Sequence, residues 1–201
     1  MNQSIKKLTA LSTVPVLAIA FVAVLSSVQA NAATTSVNSS IGSIMSLFTT
    51  SGTVAINATP SAGGVQTIAS DTITVSTNGA SGYTLQLAET TATSALVSGG
   101  NSIPASAGTF GTPVAQAVNT WGYRVDGIGG FGAGTTTAAS NAAIGAIKFA
   151  AVPATASPAT IKTTAGTATN DITTVWYGVA VNTSTPSGSY TNSVTYTAVA
   201  N

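Results

Sequence analysis

Histidine and cysteine are both absent from the 201 residues, and each absence closes off a body of chemistry. Without histidine there is no Ser-His-Asp relay, no Cys-His pair and no imidazole ligand for a metal. Without cysteine there is no disulfide framework, no thiolate metal site and no cysteine for a lipid anchor. Charge is almost as scarce: five Lys and Arg stand against four Asp and Glu, only 4% of the chain. That leaves no basic patch for a phosphate backbone, so nucleic acid is not an expected partner. Closely spaced oxygen ligands of the D-x-D-x-D kind do not occur, which excludes a calcium loop read from sequence. Asp71, Glu89, Asp126 and Asp171 are the only carboxylates. They lie far apart and in unlike contexts, each suited to a solvated turn or strand end. A glycosidase pair is therefore not expected, and neither catalysis nor a cofactor is.

What is present begins with an export signal. Lys6 and Lys7 precede an apolar run from Val16 to Leu25, and Ala30-Asn31-Ala32 supplies the small-x-small pattern that a signal peptidase admits. Residues 1–32 are expected to be a secretory signal peptide cleaved after Ala32. The alternative is an uncleaved anchor, but Ser12, Thr13, Pro15, Ser26 and Ser27 dilute the apolar run. The mature chain would then carry Arg124, Lys148 and Lys162 against the four carboxylates, with no membrane span, in a secreted or cell-surface location.

Downstream, the apolar residues recur with a period of two, the mark of half-buried strands. No segment shows a capped helical period over three turns. Residues 33–50 form an N-terminal arm or first strand, with IGSIMSLF (Ile41–Phe48) favouring a strand, and Val54 and Ile56 mark another before Pro60. SDTITVSTNGASGYTLQLAE predicts a hairpin with Ile73 and Val75 on one arm and Tyr83, Leu85 and Leu87 on the other. A short strand follows at Ser94–Val97. NTWGYRVDG places Trp121, Tyr123 and Val125 on one face, and GIGGFGAG is a loop with Phe131 as its anchor. Ile147 and Phe149 centre a further strand, and SPATIKTT adds an edge strand. The clearest signal is DITTVWYGVAVNTSTPSGSYTNSVTYTAVA, two long alternating strands read as a terminal hairpin. Short strands between Gly, Ser, Asn and Pro clusters predict an all-β fold: a single antiparallel β-sandwich, immunoglobulin-like or jelly-roll-like, over residues 51–201.

Three aromatics are candidate ligand or partner contacts: Trp176, Trp121 and Phe131. Trp176 and Tyr177 are adjacent, so they point to opposite faces of a strand. If Tyr177 joins Val175, Val179 and Val181 in the core, Trp176 needs another cover: the chain's own loops, a partner or a sugar ring. Asp126 and Asp171 are expected to form turns. Lys148 and Lys162 are candidates for a Lys–Asn crosslink.

PSGSYTNSVTYT, Pro186 to Thr197, resembles the closing "P-x-G-x-Y-T-x-x-V-T-x-T" strand of secreted bacterial β-sandwich proteins, among them WxL-type surface domains and the pilin-like spore-coat-U group. TITVSTNGASGYTLQL, NTWGYRVDG and the SPATIKTT to VWYGVAV segment extend the resemblance to exported proteins of reduced-genome, candidate-phylum bacteria. It implies a cell-surface structural or adhesive role with association through sheet edges. The partners would be other surface proteins, further copies of itself, or cell-wall or host glycans. One form of association is donation of the Ala33–Phe48 segment to a neighbour's sheet; the rival role is a carbohydrate-binding module. The chain departs from these families where Tyr196-Thr197-Ala198 stands in place of a distal Trp-x-Leu, and in having no cysteine or LPxTG-like signal.

Overall fold

The computed structural model describes residues 35–201, so the expected signal peptide lies outside the described residues. Residues 35–40 are exposed and without regular secondary structure, and a separate compact unit runs from Ile41 to Asn201. No helix occurs among the described residues, and so none long and apolar enough to cross a membrane. The strands in order are β1 (Met45–Thr49), β2 (Val65–Thr77), β3 (Tyr83–Glu89), β4 (Leu96–Ser98), β5 (Asn101–Ile103) and β6 (Val114–Ala115). They continue with β7 (Thr120–Arg124), β8 (Ala139–Ala142), β9 (Lys148–Phe149), β10 (Ala159–Thr163), β11 (Ala168–Val181) and β12 (Val194–Ala200).

A five-stranded sheet has the order β1-β2-β11-β7, with β8 also on β2, and a three-stranded sheet has the order β10-β3-β12. β4 with β5, and β6 with β9, form two small ribbons, and every pairing between strands is antiparallel. β11 is the axis, because it pairs with β2 along nearly its whole length, from Ala168↔Thr77 to Val181↔Val65. Its alternation works as the sequence predicts: Val175, Tyr177, Val179 and Val181 are buried on one face. They join Ile73 and Val75 from β2, Trp121 and Tyr123 from β7, Tyr83, Leu85 and Leu87 from β3, and Ile161 from β10 in a single cluster. Each such side chain contributes about 1.5–3 kcal/mol when fully buried. Polar contacts join the same two sheets. Tyr177 and Tyr196 share a hydroxyl–hydroxyl bond of 2.7 Å, and the Tyr83 hydroxyl donates to Asp171 Oδ2 at 2.7 Å.

Neither expected hairpin is one. β2 and β3 lie in different sheets, and so do β11 and β12; β12 pairs with β3, from Val194↔Glu89 to Ala200↔Tyr83. Both strands of each pair turn an apolar face to one core. Alternation alone therefore does not separate a neighbour in the same sheet from a strand facing it across the interior. The connector after β2 shows the geometry: Gly82 has φ of 81°, and a Cβ there would sit 2.3 Å from the Thr164 carbonyl oxygen. The expected strand at Val54 and Ile56 is irregular chain, although both side chains pack partly against the core. The first strand begins at Met45, leaving Ile41 and Ile44 exposed beyond it. The edge strand of SPATIKTT forms as β10, whereas the one around Ile147 shrinks to Lys148–Phe149.

The chain between β5 and β7, together with β9, covers the outer face of the second half of β11. Gly178 allows this, because a Cβ there would lie 2.6 Å from Phe149 Cζ and 2.8 Å from Gln116 Oε1. The Gln116 amide is fully used: Nε2 donates to the Gly178 and Thr120 carbonyls, and Oε1 accepts from Gln66.

Candidate functional site

The two halves of β11 differ in their neighbours. From Trp176 to Ala180 it is flanked by β2 on one side and β7 on the other, in the register Trp176↔Arg124 to Ala180↔Thr120. β7 stops at Arg124, so from Ala168 to Val175 only the β2 side of β11 is paired among the described residues. The direction of the free groups follows from the ladder. The Thr72 carbonyl accepts from Thr50 N, on the β1 side of β2. Thr72 therefore faces away from β11, and in an antiparallel pair the Thr174 opposite it faces away from β2. Ile172, two residues earlier, faces the same way, and its carbonyl accepts from Lys162 Nζ at 3.0 Å. The Ile172 N–H turns to the Asp171 carboxylate, and both backbone groups of Thr174 have no partner among the described residues.

A groove of ≈ 440 Å³ runs along this open edge. Ile172, Thr173, Thr174 and Trp176 line it from β11, Ile161 and Lys162 from β10, and Val125, Asp126, Ile128, Thr135 and Thr136 from the chain after β7. Trp176 is half-buried, and Ile172 is 58% exposed. Thr173 contributes a buried hydroxyl with no hydrogen-bond partner among the described residues.

Two ion pairs frame the groove. Arg124 is 5% exposed and donates from Nε to Asp126 and Thr136, and from Nη1 to the Phe131 carbonyl at 3.0 Å. Asp126 also accepts from the Thr136 N–H and hydroxyl, each at 2.7 Å. Burial pushes the Asp126 carboxyl up, but the Thr136 and Arg124 hydrogen bonds and the Arg124 charge outweigh it and hold the group below the usual carboxylate range. On the other wall, Lys162 Nζ pairs with Asp171. There too burial raises the carboxyl, and hydrogen bonds from Lys162, the Tyr83 hydroxyl and the Ile172 N–H, with the Lys162 charge, bring it below its ordinary value. Both carboxylates are thus ionised at neutral pH and engaged as acceptors. Lys162 meets an aspartate and a carbonyl where a crosslink would need an asparagine, and Lys148 is exposed.

The three aromatic candidates separate cleanly. Trp121 is 4% exposed, with its indole N–H donating to the Ser94 carbonyl at 2.7 Å. Phe131 is 5% exposed, edge-on to Tyr123 and Phe110 and beneath the Arg124 guanidinium. Both are core residues with no free face, and only Trp176 lines the groove. The carboxylates were expected in solvated positions, yet Asp71 and Glu89 are 6% and 4% exposed. Asp71 accepts from the Thr72 N–H at 2.9 Å and the Ser51 N–H. Glu89 keeps a buried Oε1 without a donor, and burial raises its carboxyl above the ordinary value. It borders a separate, smaller groove of ≈ 300 Å³ with Gln86, Thr155, Thr195 and Thr197. Among the described residues no group of three potential metal ligands comes together.

Sequence reasoning missed the groove because its backbone groups carry no residue signature. The only usable hint was length, since β7 is far shorter than the strand it flanks. No family model, curated protein or solved structure matches this chain.

Proposed function

We propose that this is an exported, non-catalytic cell-surface protein, structural or adhesive, that assembles through the open edge of β11. Its fold in this reading is a single antiparallel β-sandwich, a five-stranded sheet against a three-stranded one. The shared core and the Tyr177–Tyr196 and Tyr83–Asp171 bonds between the sheets support it. The turn and strand motifs around β12 support a place beside WxL-like and spore-coat-U-like surface proteins.

The observation that carries the function is the unpaired backbone of Thr174 on an open strand edge beside a groove. Soluble proteins blunt free edges with lysine, proline or a bulge, because an open edge recruits another strand. Here a register shift between Ala168 and Asp171 breaks the start of the edge, and Lys162 takes the Ile172 carbonyl and Asp171 its N–H. The Thr174 groups are left open beside the groove. Thr174→Pro removes the central donor at an edge position, where proline is tolerated. In sedimentation velocity the wild-type chain is expected to associate with rising concentration and Thr174→Pro to stay monomeric. Association that is absent in the wild type, or unchanged in the variant, overturns the assignment.

A second reading is favoured by one side chain. Half-buried Trp176, between Asp126 and Lys162, would offer a sugar an apolar surface and polar groups. Binding on a glycan array that disappears in Trp176→Ala would establish it, and no binding to any glycan would remove it.

A further inference from the structure

Both ion pairs at the groove beside β11 are internally neutral, and one buried hydroxyl in its lining has no partner. We infer that the groove selects a short, uncharged saccharide and that the Thr173 hydroxyl is the contact that sets its specificity. This rests on the groove being a sugar site and does not depend on assembly at the β11 edge.

Charge decides against an ionic ligand. Among the lining residues only Asp126 and Lys162 carry charge, and Arg124 neutralises the first while Asp171 neutralises the second. An acidic sugar or an unacetylated amino sugar would give up hydration here and meet no uncompensated countercharge. What the walls retain is hydrogen-bonding capacity of both kinds. The Lys162 ammonium has three hydrogens and places two, on Asp171 and on the Ile172 carbonyl. Asp126 Oδ2 accepts from the Thr136 N–H and keeps a further lone pair. Thr174 adds its open N–H and carbonyl. A hydroxyl both donates and accepts, so a ring bearing several of them answers this mixed set without bringing charge.

Thr173 is the group that the fold leaves unsatisfied. It is 7% exposed, on the side of β11 that bears Val175 and Tyr177, and it lines the groove. Its hydroxyl has no hydrogen-bond partner among the described residues. A buried hydroxyl in that state costs free energy that a valine of the same shape would not, and a ligand hydroxyl removes the cost by supplying the bond. The surroundings suit the rest of a sugar ring. Val125 and Ile161, both buried, give the groove an apolar floor, and half-buried Trp176 and exposed Ile172 offer apolar surface to ring C–H groups. At ≈ 440 Å³ the groove falls at the small end of ligand sites, about 300–1,000 Å³, which fits a mono- or disaccharide.

Isothermal titration calorimetry of the full chain against neutral, uronic-acid and unacetylated amino-sugar disaccharides tests this. A neutral member is expected to bind, with its charged counterparts at least about tenfold weaker. Thr173→Val should cut the affinity for the neutral sugar about two- to tenfold and leave the protein at least as stable in urea, since it removes an unsatisfied buried atom. Thr173→Ser keeps the hydroxyl and should keep the binding. Affinity unchanged in Thr173→Val, or lost equally in Thr173→Val and Thr173→Ser, overturns the role of the hydroxyl. Tighter binding of a charged sugar overturns the neutral preference and leaves the sugar site standing. No binding by any member of the panel overturns the inference and the sugar site together.

Discussion

The two halves of β11 rest on the same neighbour, β2, and the same core, and differ at the other edge and on the outer face. The second half turns Tyr177, Val179 and Val181 inward, whereas the first turns Asp171, Thr173 and Val175 the same way, and both pair with β2. The second half is closed on every side, by β7 at its edge, by the core beneath and by Phe149 and Gln116 above Gly178. The first half has the same core beneath it, but an open edge and an exposed outer face bearing Ile172. The difference lies in the length of the neighbouring strand, and it divides one strand into a part that holds the fold and a part that can meet a partner.

Substitutions on the closed half should cost most. Phe149→Ala empties a fully buried site against Gly178 and is expected to lose about 3–5 kcal/mol in urea denaturation. A loss under 1 kcal/mol would mean this half is less tightly covered than described. Gly178→Ala puts a methyl against the Phe149 ring and should cost about 1–3 kcal/mol.

At the boundary between the halves, Asp126→Asn keeps the shape and removes the charge facing buried Arg124. The expected loss is about 1.5–3 kcal/mol at pH 7. Because the folded carboxyl lies below its ordinary value, that stability is present above about pH 4. It fades as acid protonates the group in the folded state, and Asp171 adds a loss in the same direction. An Asp126→Asn penalty that persists undiminished in strong acid would contradict the pairing. Glu89 has the opposite sign: burial raises its folded value, so its ionisation costs stability as pH rises past that value. Glu89→Gln should therefore stabilise at pH 7, with the gain vanishing as pH falls below about 4. On the open half, Ile172→Ala should shift stability by no more than about 0.5 kcal/mol while weakening association.

Much of this was legible in the residues. The long strands and the core face of β11 follow from alternation, whereas the strand expected at Val54 and Ile56 does not form and β6 and β8 gave no such signal. Phe131 does anchor its glycine-rich loop. Pairing was not legible, since Ile73, Val75, Tyr83, Leu85 and Leu87 would alternate identically in a hairpin or across two sheets. Parity with Tyr177 puts Trp176 on the face away from the core, where it is half-buried. Trp121 and Phe131 were not separable from it, because aromatic character says nothing about which face a distant segment will cover. The groove itself is made of backbone groups left over where β7 ends.

Residue-resolved amide hydrogen exchange at Thr174, read against concentration, is the most direct test of the open edge. In the dilute monomer this amide should exchange freely while those of Gly178 and Ala180 stay protected, and on association it should become protected too. Protection of Thr174 at every dilution, or its free exchange in the assembled state, would contradict an edge that takes a strand.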